Sequence, residues 1–183
     1  MRELSLHLLD LLENACEAGA TEISVEVQED REQDSLVITV FDNGRGMSAE
    51  KARAATDPFY TTRSTRRVGL GLPLLKAAAE LTGGSLSLES RPGRTEVTAR
   101  FGHSNVDRAP LGDVASSLMA VLLKERAPRL LYSHKVNGRC FRFDSRQVNE
   151  VLGRVPLTTA AVASWLHSHL DNNIRALRDG MAL

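Results

Sequence analysis

Between residues 4 and 101 the apolar period changes from helical to alternating and back again, and glycines mark the joints. No other feature restricts the fold as much. Leu4, Leu8, Leu11, Leu12 and Ala15 recur at helical spacing, and Gly19 follows as a C-terminal cap. Ile23, Val25 and Val27 then alternate with polar residues, a charged turn covers 29–34, and Leu36, Ile38 and Val40 alternate again. This predicts a hairpin whose second strand ends at Asp42. After a polar, glycine-rich stretch the spacing predicts a helix over 70–81, with Pro73 tolerated in its first turn and Gly83 and Gly84 closing it. Leu86 and Leu88, then Val97, Ala99 and Phe101, alternate around a turn at 91–94. The expected architecture is a two-layer α/β (α+β) sandwich, a mixed sheet backed by helices on one face.

Beyond His103 the pattern changes. A polar connector runs through Pro110, a helix is predicted over 111–126, and Asn137-Gly138 marks a hairpin. Asp144 or Ser145 caps a short helix through Leu152, and Thr158 or Thr159 caps a last helix reaching Arg178. The expected division is an α/β domain over 1–102 and a small α+β appendage over 103–183. Trp165, Leu166, Leu170, Ile174 and Leu177 are read as one apolar face, either small-domain core or a surface for a protein partner. His134, on an expected strand, is read as packing or facing water. His167 and His169, two apart on a helix, face different sides and do not form a metal pair.

Composition removes several classes. At 183 residues with 42% apolar and 25% charged content the chain can bury a real core. Lys+Arg and Asp+Glu both number 23, so no net field draws the molecule to nucleic acid or an anionic membrane. Without a run of about 18 apolar residues, and with Arg2, Glu3 and Asp10 in the amphipathic start, the chain reads as soluble, unexported and cytoplasmic. Cys16 and Cys140 lie far apart with no CxxC, which suits reduced thiols.

Three stretches carry candidate chemistry. His7, Asp10, Asn14 and Glu17 form a polar stripe on the first helix, read either as a solvated face or as a carboxylate beside a metal-binding amide oxygen. Asp42-Asn43-Gly44-Arg45-Gly46-Met47 follows a strand, and its glycines allow close ligand approach. A buried carboxylate at that strand end can accept from the exocyclic amine of adenine. Finally, Asp57-Pro58-Phe59-Tyr60-Thr61-Thr62-Arg63 through Arg67-Val68-Gly69-Leu70-Gly71-Leu72 sets hydroxyls and arginines before a helix start, where unpaired N–H groups suit phosphate.

In order and spacing these pieces resemble the GHKL superfamily of gyrase, heat-shock chaperone, histidine kinase and MutL ATPases over roughly residues 4 to 101. Residues 11–21 resemble its N box, 42–47 its first glycine box, 57–62 the lid start of nitrogen-regulatory kinases, and 69–72 its second glycine box. The stretch from Arg91 to Val97 is similar to the closing strands of those kinases. The resemblance implies that Asn14 coordinates Mg2+ bridging the phosphates of ATP or ADP and that Asp42 binds adenine with help from Thr95. Gly44, Gly46 and Met47 then belong to the nucleotide site, with Phe59, Thr61, Thr62, Arg63, Gly69, Leu70, Gly71 and Leu72 folding over the phosphates as a lid.

Two departures qualify this. MutL- and gyrase-like members carry a glutamate base four residues before the asparagine, and many histidine kinases an asparagine; here Asp10 keeps a carboxylate one methylene shorter. No helical hairpin with a phosphoacceptor histidine precedes the domain, and His7 lies inside the N-box helix, so ordinary self-phosphorylation is not expected. The reading is Mg-dependent ATP binding with slow hydrolysis through Asp10 and switching of an unidentified protein partner through 103–183. A kinase acting in trans and a non-hydrolysing nucleotide sensor stay open, as does a homodimer.

Overall fold

The computed structural model describes residues 2–56 and 70–181. Its elements are α1 (Leu4–Glu17), β1 (Glu22–Asp30), β2 (Ser35–Asp42), α2 (Ala49–Ala54), α3 (Gly71–Leu81), β3 (Ser85–Arg91), β4 (Arg94–Gly102), α4 (Val114–Leu122), β5 (Arg129–Val136), β6 (Arg139–Asp144), α5 (Ser145–Leu152) and α6 (Ala160–Arg178). The six strands form one mixed sheet in the order β3-β4-β2-β1-β5-β6. Neighbours are antiparallel except β1 and β5, which run parallel.

Strict alternation along the strands sends one set of side chains inward. Ile23, Val25 and Val27 of β1, Leu36, Ile38 and Val40 of β2, and Val97, Ala99 and Phe101 of β4 are buried, together with Leu130, Tyr132, Phe141 and Phe143 of the last hairpin. They share one core with Leu8, Leu11 and Leu12 of α1, Leu75 and Ala79 of α3, Leu118 and Leu122 of α4, and Leu166, Leu170 and Ile174 of α6. The result is the expected two-layer α+β sandwich.

The sheet and core continue through the expected boundary at 102/103. β5 lies beside β1, register-paired from Glu22–Arg129 to Glu29–Val136. α1 has no side-chain N-cap; instead the Leu4 and Ser5 N–H groups donate to the carbonyls of Pro110 and Leu111 at 2.9 and 2.8 Å. Residues 103–181 therefore complete the layer that the earlier residues begin. The 137–138 turn forms as predicted, with positive φ at both residues (46° and 83°).

Local differences have clear causes. The helix expected over 111–126 starts at Val114, because Gly112 adopts φ 76° and Asp113 caps the helix by accepting from the Ser116 N–H at 2.8 Å. α2, capped by Ser48, has no apolar stripe to announce it. Trp165 leaves the apolar face assigned to it: it is 54% exposed and stacked on His169 with ring centroids 5.2 Å apart.

Candidate functional site

The end of β2 meets the start of β4 where the glycine-rich turn begins. Asp42 and Thr95 are opposite partners across that ladder, 7% and 8% exposed. Asp42 Oδ1 accepts the Gly44 N–H at 2.8 Å. Its Oδ2 has no hydrogen-bond partner among the described residues. Burial raises the Asp42 carboxyl above the usual range, with the Gly44 N–H pulling the other way.

The turn needs its glycines for lack of space. A Cβ on Gly44 would lie 2.7 Å from Ala18 Cβ, and one on Gly46 would lie 1.9 Å from the Arg91 carbonyl oxygen, at φ 66°. Asn43 ties the turn to the α1–β1 joint: its Oδ1 accepts the Thr21 and Glu22 N–H groups at 2.8 and 2.9 Å, and its Nδ2 donates to Thr21 Oγ1 at 2.9 Å. On the other side the Met47 N–H donates to Ser90 Oγ at 2.9 Å, and the Gly93 N–H donates to the Arg45 carbonyl at 3.2 Å. The turn is thereby held between the end of α1 and the β3–β4 hairpin.

Asp10 and Asn14 project from α1 one turn apart. Asn14 is exposed, and its carboxamide has no hydrogen-bond partner among the described residues. Asp10 is half-buried beside the start of α3, so close that a Cβ on Gly71 would lie 3.3 Å from its Oδ2. Burial, then the charge of Glu13, raises the Asp10 carboxyl. Leu70 and Leu72 flank Gly71, half-buried, and Leu72 packs on the core. Phe59, Thr61, Thr62, Arg63 and Gly69, with Arg66 and Arg67, lie outside the described residues.

No group of three or more His, Cys, Asp or Glu that could hold a metal occurs among the described residues. Asn14 offers one exposed amide oxygen, a hard donor. That donor chemistry fits Mg2+ and not zinc.

Residues 2–105 match the family described as histidine kinase-, DNA gyrase B-, and HSP90-like ATPase. The chain belongs to this ATPase family. It is 34% identical over 97 residues to a putative sensor histidine kinase NtrY-like of Rickettsia bellii, covering 51% of this chain and 16% of that protein. It is 42% identical over 87 residues to the sensor protein kinase FleS of Pseudomonas aeruginosa, covering 48% and 21%. The chain thus spans about a fifth of the length of these two curated relatives. Among solved structures, the N-terminal domain of a DNA repair protein superposes with a TM-score of 0.53 at 14% identity, covering 84% of this chain and 58% of that one. That likeness concerns the fold alone. Because it covers more of the chain than the family match does, it reaches into the C-terminal region.

In this ATPase-family chain the histidines lie apart from the turn. His7 is buried with Nδ1 unpartnered among the described residues, and burial followed by the positive chain terminus lowers its pKa to about 4, so it is neutral at pH 7. His134 is fully buried, 2.9 Å from Glu29 Oε1 and 2.8 Å from the Tyr132 hydroxyl. His169 stacks on Trp165, and His167 lies 3.1 Å from Ser116 Oγ. In the sequence Asn43 is only one member of the glycine-rich stretch with no role of its own, and Ser90 does not stand out. Both are common turn and strand-end residues, and only their distant partners reveal them. No helix among the described residues is long and apolar enough to cross a membrane.

Proposed function

We propose that the chain binds ATP with Mg2+ at this site, hydrolyses it slowly and acts as a nucleotide-controlled regulatory module. One observation carries the reading: a buried carboxylate with one oxygen fixed by Gly44 and the other without a hydrogen-bond partner among the described residues, set across the ladder from a buried hydroxyl at Thr95. An exocyclic amine supplies the proton that such an oxygen accepts. A keto oxygen in its place would face a second acceptor, which favours adenine over guanine. Family membership supports the same ligand.

Asn14 is assigned the metal, because its exposed amide oxygen is a hard donor. Mg2+, when bound with the nucleotide, neutralises phosphate charge. Asp10, one turn earlier, is the candidate base. Its raised pKa brings it nearer to the working pH, which favours taking a proton from water. Gly71 leaves room beside it. Coupling to a protein partner is assigned to the C-terminal region. Its helix α4 packs on α1, and Lys124 Nζ reaches Glu13 Oε2 at 2.9 Å, next to Asn14.

Phosphate release from ATP, measured with and without magnesium, tests the reading. Slow magnesium-dependent release that is lost in Asp10→Asn supports it. ATP binding without release from the wild type contradicts hydrolysis and moves the reading to a nucleotide sensor or to a kinase acting on a partner.

A further inference from the structure

Ser90 lies at the end of β3, half-buried, and its single hydroxyl meets three groups. It accepts from the Met47 N–H at 2.9 Å, lies 3.1 Å from Thr95 Oγ1, and reaches the Arg94 carbonyl at 3.2 Å. A serine has one proton and two lone pairs. With the Met47 N–H on one lone pair, two arrangements remain. If the Ser90 proton goes to the Arg94 carbonyl, Thr95 donates its own proton to Ser90 and offers only lone pairs to a ligand. If the Ser90 proton goes to Thr95, the Thr95 proton is free to donate. In both, Ser90 occupies one hydrogen-bonding slot of Thr95 and thereby limits what the other slots can do.

We propose that Ser90 is a positioning residue for recognition of the nucleotide base: it orients the Thr95 hydroxyl beside Asp42 and locks it to the glycine-rich turn. The proposal rests on the reading of Asp42 and Thr95 as the base site. The hairpin and the turn already form one unit, since the Gly93 N–H donates to the Arg45 carbonyl and Gly46 packs on the Arg91 carbonyl. Ser90 is the side chain that carries this contact to a hydroxyl paired in register with Asp42. Thr95, buried among strand neighbours, has no other hydroxyl partner among the described residues. Without Ser90 it is free to rotate or to turn its proton away from the ligand.

The test is calorimetric binding of ATP and GTP to the full chain as wild type, Ser90→Ala, Ser90→Thr, Thr95→Val and the double variant Ser90→Ala/Thr95→Val, with Asp42→Ala as reference. Ser90→Ala is expected to weaken ATP about five- to tenfold, the effect of one hydrogen bond, and to reduce the ATP-over-GTP preference by a similar factor. Ser90→Thr restores both. The double variant binds ATP no more weakly than Thr95→Val alone, because Ser90 acts through Thr95. Equal losses for ATP and GTP, or additive losses in the double variant, would show only general support of the turn and overturn the proposal. So would unchanged ATP binding by Ser90→Ala while Asp42→Ala still loses affinity, which leaves the base site standing. Unchanged affinity in Asp42→Ala overturns the base-site reading itself, and this proposal with it.

Discussion

Asp42 stands across the β2–β4 ladder from Thr95, both side chains turned inward at the open end of the sheet. A strand end offers little to neutralise a carboxylate, and the described residues give this one a single hydrogen bond, from the Gly44 N–H. Burial therefore raises its pKa. A carboxyl raised in the fold makes the protein less stable when it ionises.

Two consequences can be measured. Asp42→Asn keeps an oxygen for Gly44, so without nucleotide its melting temperature at pH 7 should not fall below the wild type's. Its ATP affinity should drop roughly 10- to 100-fold, the range for a hydrogen bond to a charged group. Because an amide can also donate, GTP should gain relative to ATP. In the wild type, ATP affinity should weaken as pH falls through the raised Asp42 pKa, at higher pH than an ordinary aspartate would give. Calorimetric titration of ATP and GTP across pH on both proteins checks the affinities, and thermal melting checks the stability.

Asp10 should separate chemistry from binding. Its raised carboxyl must be ionised to accept a proton, so phosphate release should rise with pH through that pKa and then level. Asp10→Asn should abolish release while ATP affinity changes less than threefold, on the order of 0.6 kcal/mol. A rate with the same pH profile in Asp10→Asn would place the base elsewhere.

Glu29 tests what ties the C-terminal helix to the sheet. Burial alone would raise its carboxyl. Hydrogen bonds from His134 and His103 and the Arg178 guanidinium, 2.8 Å away, outweigh that and lower it from the usual 4.5 to about 2. A depressed carboxyl contributes stability that is complete above the unfolded value and lost as pH falls from about 4.5 through about 2. The contribution is roughly 3 kcal/mol. Glu29→Gln should therefore melt well below the wild type at pH 7, and the gap should close across that acid window. A gap that does not change with pH would assign the loss to packing.

The expected boundary at 102/103 also has a direct test. Cutting there would remove β5 from the edge of β1, take the Pro110 and Leu111 carbonyls from the first N–H groups of α1, and uncover the apolar face of α1 that meets α4. A 1–102 fragment should lack a cooperative thermal transition, whereas the full chain should show one. A fragment that melts cooperatively would make the earlier residues an independent unit.

Most elements were legible because their signals are local. The α1 stripe, the alternation in β1, β2 and β4, and the Asn137-Gly138 turn each follow from residues within a few positions of one another. The placement of β5 was not legible. Parallel pairing of β1 with β5 joins residues more than 100 apart in sequence, and nothing near Leu130 or Tyr132 says which strand they will meet. The buried Glu29–His134 contact was hidden for the same reason, and His134 alone reads as an ordinary strand histidine. At the site, Asp42, Gly44 and Gly46 announce themselves through a compact motif. Ser90 matters only because the β3–β4 hairpin folds it against Met47 and Thr95.

The most direct measurement is titration of ATP into the full chain by calorimetry, with and without magnesium, alongside Asn14→Ala. The account predicts saturable ATP binding that magnesium strengthens, and a variant in which that strengthening disappears. No ATP binding by the wild type in either condition would contradict the central claim, and an unchanged magnesium effect in Asn14→Ala would contradict the place of the metal.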